Sequence, residues 1–269
     1  MNALTHSAMA YALIIRNSIR QRKSYAAGQW LQILHGIFMI LIQASLWTAL
    51  IGSGSAGDTS LKAMISYVII NFLASSLTRF NAAGMIGGRV RDGSVAIDMI
   101  LPVSFKWKLF CEHLGDNLFS TLYAGIPGVL VAVLFYGAAA PASLGSFLLF
   151  LPALLLGIVL AYQIQYLFNL AAFWVVDTWF ISFLSNGFSK LFGGAVIPLW
   201  FYPAWLAAMS RYLPFRFCTY EPIRIYLGQC DIKSALSCLG LQVLWLVLLF
   251  GLEAIIWRRA SKKIFVQGG

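Results

Sequence analysis

The chain has 269 residues, of which 60% are hydrophobic and 10% are charged, and its mean hydropathy is +0.81. This composition excludes an ordinary water-soluble domain and predicts one integral membrane domain over residues 1–269. The net charge of +10 lies in short basic clusters beside apolar segments, which favours orientation against an inner membrane leaflet and argues against a nucleic-acid partner.

The N-terminal segment, residues 1–27, predicts an amphipathic helix that lies in the cytoplasmic membrane interface. Residues Leu4 to Lys23 carry apolar side chains on one side of the helix. Arg16, Arg20 and Lys23 recur at i, i+4 and i+7 on the other side. An ordinary solvated basic helix is the alternative, because the apolar side is short and includes alanine.

Six transmembrane helices are predicted, since a crossing of about 30 Å of hydrocarbon needs about 20 apolar residues. Residues 117–176 contain no charged residue and no His, which is enough for two crossings and a turn. Arg258 and Arg259 follow the last span, so both termini are expected in the cytoplasm, with a further cytoplasmic return at Asp177. The fifth span is expected to break at Gly193-Gly194 and Pro198. The predicted spans are Trp30–Ile51, Leu61–Phe80, Asn117–Tyr136, Leu144–Val176, Thr178–Ile197 and Ala235–Trp257.

The longest polar region, residues 81–112, is predicted to be a cytoplasmic loop between the second and third spans. Gly93 or Ser94 caps a helix of about two turns within it, and Pro102 stops that helix. The apolar face of this helix is expected to pack either against a partner protein or against the N-terminal helix of the same chain. The candidate contact residues are Ser94, Ile97, Ile100, Leu101 and Pro102.

The region between the fifth and sixth spans, residues 198–233, contains aromatic and apolar pieces separated by prolines, and none is long enough to cross. Re-entrant or external helices are predicted, because irregular backbone at membrane depth must be buried against protein or line a cavity. Its aromatic residues are expected to form either an interfacial belt or an external gate. The candidate gate residues are Pro198, Trp200, Phe201, Tyr202 and Trp205.

Three polar residues inside predicted spans, Asn71, Gln163 and Lys190, are candidates for a transport pathway. The alternatives are interhelical hydrogen bonds for the two amides and snorkelling to the outer interface for Lys190. Cys218 and Cys230 both fall in the external region, where they are either bonded to each other or free thiols.

No catalytic pattern was found in the chain. It lacks G-x-x-x-x-G-K-[ST], HExxH and GxSxG, and its three His and scattered acids do not group as metal ligands. We therefore expect no enzyme acting alone, no metal site and no cofactor in this chain.

The order of elements resembles the permease subunits of bacterial type-2 ABC exporters, over nearly the whole chain. Two local patterns are similar to one bacterial subfamily of these permeases. The first is Gly93-x-x-x-Ile97-x-x-x-Leu101-Pro102-Val103. The second is Phe192-Gly193-Gly194-x-x-Ile197-Pro198-Leu199-x-x-x-Pro203, followed by Leu213-Pro214-Phe215, Pro222 and Tyr226-x-Gly228.

The resemblance implies that two permease chains, identical or related, meet along a central pathway in the bacterial inner membrane. Each would dock a separate ATPase subunit, which holds the ATP and Mg, through a coupling helix at about Ser94 to Leu101. Such an exporter would move an amphipathic or hydrophobic compound, such as a drug, an antimicrobial peptide or a lipid-like molecule, out of the cytoplasm or inner leaflet. A self-standing ion-coupled secondary transporter and a membrane enzyme or assembly factor are the other candidate functions.

Overall fold

A computed structural model describes residues 3–23, 26–54, 60–80, 86–137, 140–175 and 179–264, and every regular element in these ranges is helical. The predicted return at Asp177 lies outside the described residues. A π-helical turn occupies Thr121–Gly125, and short 3₁₀ segments occupy Ala171–Phe173, Leu199–Phe201 and Pro214–Phe217. The helices are α1 (Ala3–Lys23), α2 (Ala26–Gly52), α3 (Leu61–Thr78), α4 (Gly87–Arg91), α5 (Ser94–Ile100), α6 (Phe105–Ser120), α7 (Ile126–Tyr136), α8 (Leu144–Leu170), α9 (Trp179–Phe192), α10 (Ala204–Arg211), α11 (Tyr220–Tyr226) and α12 (Ile232–Ile264).

Five described segments are long and apolar enough to cross a membrane, so the chain is a multi-pass membrane protein. The predicted all-helical class is confirmed for the described part of the chain. The third crossing begins earlier than predicted, because α6, the π turn and α7 form one continuous helix. The crossing segments are Trp30–Gly52, Leu61–Thr78, Phe105–Tyr136, Leu144–Phe173 and Ile232–Ser261.

The described part of the predicted fifth span, residues 179–197, is not one continuous helix. Helix α9 has 14 residues and ends at Phe192, so it is about 21 Å long, shorter than the hydrocarbon layer of about 30 Å. The chain then continues without regular helix until the 3₁₀ segment at Leu199–Phe201. The count of six spans therefore stays a prediction.

Helix α9 ends at the predicted break of Gly193 and Gly194, where Gly194 has a φ of 70°, and side chains bind the two glycine carbonyls. The carbonyl of Gly193 accepts from Thr219 Oγ1 at 2.8 Å, and the carbonyl of Gly194 accepts from the Tyr67 hydroxyl at 2.7 Å. Buried backbone carbonyls need a partner, and here side chains from other elements supply it in place of a further helical turn.

The segment between α9 and α12, residues 193–231, packs on α8 and is called the re-entrant segment below. Gly157 lies at the midpoint of α8, about 20 Å from either end, and a Cβ atom there would lie 2.5 Å from the carbonyl oxygen of Cys218. The amide of Gln242 in α12 donates to the carbonyls of Ala153 and Phe217, both at 2.8 Å. The backbone after α10 therefore reaches half the depth of α8.

We predict that Gly157→Ala destabilises the protein by about 3 kcal/mol, because the added methyl group meets the backbone of Cys218 and not a flexible side chain. This corresponds to a fall of about 10 °C in the apparent midpoint of thermal unfolding in detergent. Gly251→Ala in α12 is the matched control, since nothing lies within 4 Å of the Cβ position there. An equal midpoint for both variants would contradict the close approach of α8 and the re-entrant segment.

All four cysteines are free in the structure, so the alternative of a bond between Cys218 and Cys230 is not realised. Cys218 is buried at the contact with α8, while Cys230 is half-buried beyond α11. The other two, Cys111 and Cys238, are also buried and act as small apolar side chains.

Candidate functional site

Helix α5 starts from a turn that the local sequence specifies. Gly93 has a φ of 75°, a left-handed conformation that glycine adopts without steric cost. Asp92 Oδ1 accepts hydrogen bonds from the backbone N–H of Ser94 at 2.9 Å and from its hydroxyl at 2.7 Å. These bonds lower the pKa of the Asp92 carboxyl below its usual range.

Helix α5 has one buried side and one exposed side. Val95 and Asp98 are buried towards the bundle, whereas Ile97 is 67% exposed and Ile100 is 84% exposed. Leu101, directly after the helix, is 40% exposed. Because α5 is predicted to lie in a cytoplasmic loop, three large apolar residues on one exposed face favour a contact surface.

Four charged side chains fasten the buried side of α5 to α4 and α6. Asp98 accepts from Arg89 of α4 and, at 2.8 Å, from Lys108 of α6. Glu112 binds the same two cations, Arg89 at 2.5 Å and Lys108 at 2.7 Å. Burial raises the pKa of Asp98, but the hydrogen bonds from Lys108 and Arg89 outweigh burial and hold it below its usual range. This ion network makes α5 a rigid projection of the bundle.

The N-terminal helix α1 packs on α6 and leaves the apolar face of α5 open. Arg22 binds Asp116 at 3.0 Å, and the Tyr11 hydroxyl accepts from the backbone N–H of Ser104 at 3.2 Å. Ser18 is buried in the same contact. The expected alternative, in which α1 covers the apolar face of α5, is therefore not what the structure shows. The predicted interfacial residues Arg16, Arg20 and Lys23 are exposed.

The remaining predicted contact residues lie at the two ends of α5. Ser94 is its first residue and is half-buried, while Pro102 is exposed just beyond its end. The five predicted residues thus lie together on one short projecting element, and their role in binding a partner stays a prediction.

The predicted gate residues pack mainly on α2, α3 and α9. Trp200 lies edge-on to Tyr67 of α3, with ring centroids 4.9 Å apart, and Phe201 stacks on Trp47 of α2 at 5.0 Å. Pro198 is buried, and the Tyr202 hydroxyl donates to the carbonyl of Leu191 at 2.5 Å. Trp205 is 65% exposed. A gate at these residues stays a prediction.

The three predicted pathway residues are not brought together. Asn71 donates to the carbonyl of Ala195 at 2.8 Å, so its amide holds the segment after α9. Gln163 is fully buried and donates to Glu253 Oε2 at 2.8 Å. Lys190 is exposed on α9. Of the three, Lys190 is exposed, Asn71 is half-buried and Gln163 is inaccessible.

Two buried ion clusters escaped the sequence analysis. Lys106 of α6 binds Glu253 of α12, and Glu221 of α11 binds both Arg216 and Arg224. The i, i+3 spacing of Glu221 and Arg224 could have indicated a local pair. Nothing local connects Lys106 to Glu253, because their pairing depends on how α6 and α12 pack.

Comparison with known proteins gives a family match over most of the chain. A family model described as "ABC-2 family transporter protein" matches residues 36–268, which include α5 and the re-entrant segment. No curated protein matches the chain.

Proposed function

Because the chain belongs to the ABC-2 transporter family and is the transmembrane permease subunit of an ABC transporter, we propose that it works as an exporter. Its cargo is an amphipathic or hydrophobic compound, such as a drug, an antimicrobial peptide or a lipid-like molecule. The compound leaves the cytoplasm or inner leaflet while a separate ABC ATPase subunit hydrolyses ATP with Mg. Family membership implies the ATPase, and this chain supplies only the membrane part of the transporter.

The exposed apolar face of α5 is the observation that carries the proposal. Ile97, Ile100 and Leu101 are exposed on a helix whose other side is tied down by ions. A flexible apolar loop would lose conformational entropy when it binds. A preformed face is already ordered and avoids most of that cost. Such a face suits a groove in the ATPase subunit.

The ion network gives a physical route from the ATPase to the spans. A displacement of α5 moves Asp98. Because Asp98 is paired with Lys108, the same displacement moves the first turn of α6. Lys106, two residues earlier in α6, binds Glu253 and therefore connects the same movement to α12. Coupling between distant sites needs such a chain of rigid elements and specific contacts.

The cargo assignment draws on an apolar cavity of about 420 Å³ between α8, α9 and α12. Ile164, Phe168, Phe180, Leu184 and Leu252 belong to its walls. A cavity of this size and lining suits the apolar part of an amphipathic molecule. We place the exposed Lys190 beside the pathway at the junction with a second permease chain, which is a copy of this one or a relative.

The basic ends of the chain set its orientation in the proposal. Arg16, Arg20, Arg258 and Arg259 would all face the cytoplasm of a bacterial cell, with the chain in the inner membrane. The region 198–233 would then face the outside, where Trp205 contributes to the exit.

Reconstitution of the permease and ATPase in vesicles tests the exporter directly. With ATP on the side that carries the basic termini, we expect a fluorescent amphipathic dye to move to the opposite side. ATP should have no effect when an ATPase subunit that binds but does not hydrolyse it is used. Dye movement by the permease alone, driven by an ion gradient, would overturn the proposal.

A further inference from the structure

A second cavity, of about 590 Å³, lies between the first turn of α6 and the C-terminal half of α12. It differs from the first cavity because it holds charge as well as aromatic surface. Its walls include Lys106, Trp107, Tyr166, Phe250, Glu253 and Trp257. The proposed export cycle uses the Lys106–Glu253 pair in its wall as a link between α6 and α12, but neither that cycle nor the family match assigns a ligand to the cavity.

One cation and one anion face each other in this cavity. Lys106 Nζ binds Glu253 Oε2, and the side chains are only 10% and 14% exposed. The ammonium group also lies over three rings, 4.0 Å from the centroid of Phe250, 5.3 Å from Trp107 and 5.5 Å from Tyr166. The site is therefore an aromatic cage that holds an ammonium group beside a carboxylate.

The carboxylate of Glu253 has capacity for another donor. Within the described part of the chain, its hydrogen bonds from Lys106 and Gln163 both go to Oε2. An ionised carboxylate accepts through both oxygens, so Oε1 is available to a donor that enters the cavity.

In the orientation proposed above, on which this inference rests, the cavity lies at the depth of the inner-leaflet headgroups. Glu253 precedes Arg258 by five residues, about 8 Å along α12. Trp257 lies between them on the cavity wall, and tryptophan is enriched at the membrane–water interface. A ligand with a polar head and apolar chains can therefore enter from the bilayer.

We propose that this cavity binds the headgroup of a zwitterionic phospholipid that carries a phosphate and a primary ammonium group. The phosphate pairs with Lys106 Nζ, and the ammonium group donates to Glu253 and lies against the aromatic walls. A purely anionic headgroup would compete with Glu253 for Lys106 and be repelled by the Glu253 carboxylate, and a purely cationic ligand would compete with Lys106 for Glu253 and be repelled by its ammonium group. A headgroup with both charges satisfies both residues without leaving a buried charge unpaired.

Native mass spectrometry of the full chain tests this without the ATPase, so its outcome is separate from that of the export assay. The protein is released from micelles that contain equal amounts of phosphatidylethanolamine and phosphatidylglycerol with the same acyl chains. We expect about tenfold more phosphatidylethanolamine to be retained, the contribution of one charge-assisted hydrogen bond. Equal retention of the two lipids by the wild-type chain would overturn the proposal.

Variants locate the site. Glu253→Gln should remove the preference for the ethanolamine headgroup, and Lys106→Gln should weaken retention of both lipids about tenfold. Lys62→Gln, at an exposed lysine at the other end of the bundle, should leave both unchanged. A preference that survives Glu253→Gln would refute the assignment.

Soluble phosphoethanolamine separates the two sources of this chemistry. Displacement of the lipid by the free ester at equal concentration would mean that a cytosolic phosphate ester is the ligand, which would overturn the lipid assignment.

Discussion

Replacing Ile97 with Asp should abolish capture of the ATPase subunit by an affinity-tagged permease. Ile97 is 67% exposed on α5, so in the proposed complex it moves from water into the contact. Loss of that burial costs about 1.5–3 kcal/mol, and burial of an unpaired carboxylate adds to it. The sum exceeds about 2.8 kcal/mol, which is a loss of at least 100-fold in affinity. Dye transport should fall with it.

Two controls separate a lost contact from a damaged permease. Ile97→Val retains an apolar side chain and should keep capture near the wild-type level. Met209→Asp introduces the same charge at a half-exposed apolar residue of α10, far from α5, and should not affect capture. The thermal midpoint of Ile97→Asp should also stay unchanged, because the side chain is mostly exposed within this chain. Wild-type capture by Ile97→Asp would remove α5 from the contact.

The parts of the fold that depend on local chemistry were predictable from the sequence. Helix α3 begins at the predicted Leu61, where the Ser60 hydroxyl accepts from the backbone N–H of Ala63 at 3.2 Å. Helix α5 was predicted to within one residue, because Gly93 and Pro102 mark its two ends. Length and hydropathy gave the other crossing segments, since the thickness of the bilayer sets how long each apolar run must be.

The parts that depend on contacts between distant segments were not predictable. The break of the fifth segment at Gly193 and Gly194 was predicted, and Gly194 has a φ of 70° there. The side chains that bind the two glycine carbonyls, Thr219 and Tyr67, come from other elements and were not predicted. For the same reason the exposed side of α5 could be predicted as apolar, but the ion network beneath it could not. Apolar periodicity reports which residues share a face and does not report what lies opposite.

Replacing Glu221 with Ala should cause the largest loss of stability of any single substitution considered. Glu221 is 7% exposed and binds both Arg216 and, at 3.2 Å, Arg224. Both guanidinium groups also lie near the ring of Tyr220, at 5.6 and 5.8 Å, so the cluster holds the re-entrant segment together. Removal of one partner from a buried ion cluster costs about 3–5 kcal/mol, because the remaining charges lose their compensation.

The measurement is the apparent thermal midpoint of the purified chain in detergent, which should fall by roughly 13 °C for Glu221→Ala. Asp231→Ala is the control, since Asp231 is exposed and caps only the start of α12 through Ser234. The double variant Glu221→Leu with Arg216→Met should recover much of the loss, because it removes the more buried cation together with its partner. Arg224 is more exposed and can turn its charge to water. If the double variant is less stable than Glu221→Ala, the loss comes from packing around α11 and not from an uncompensated charge.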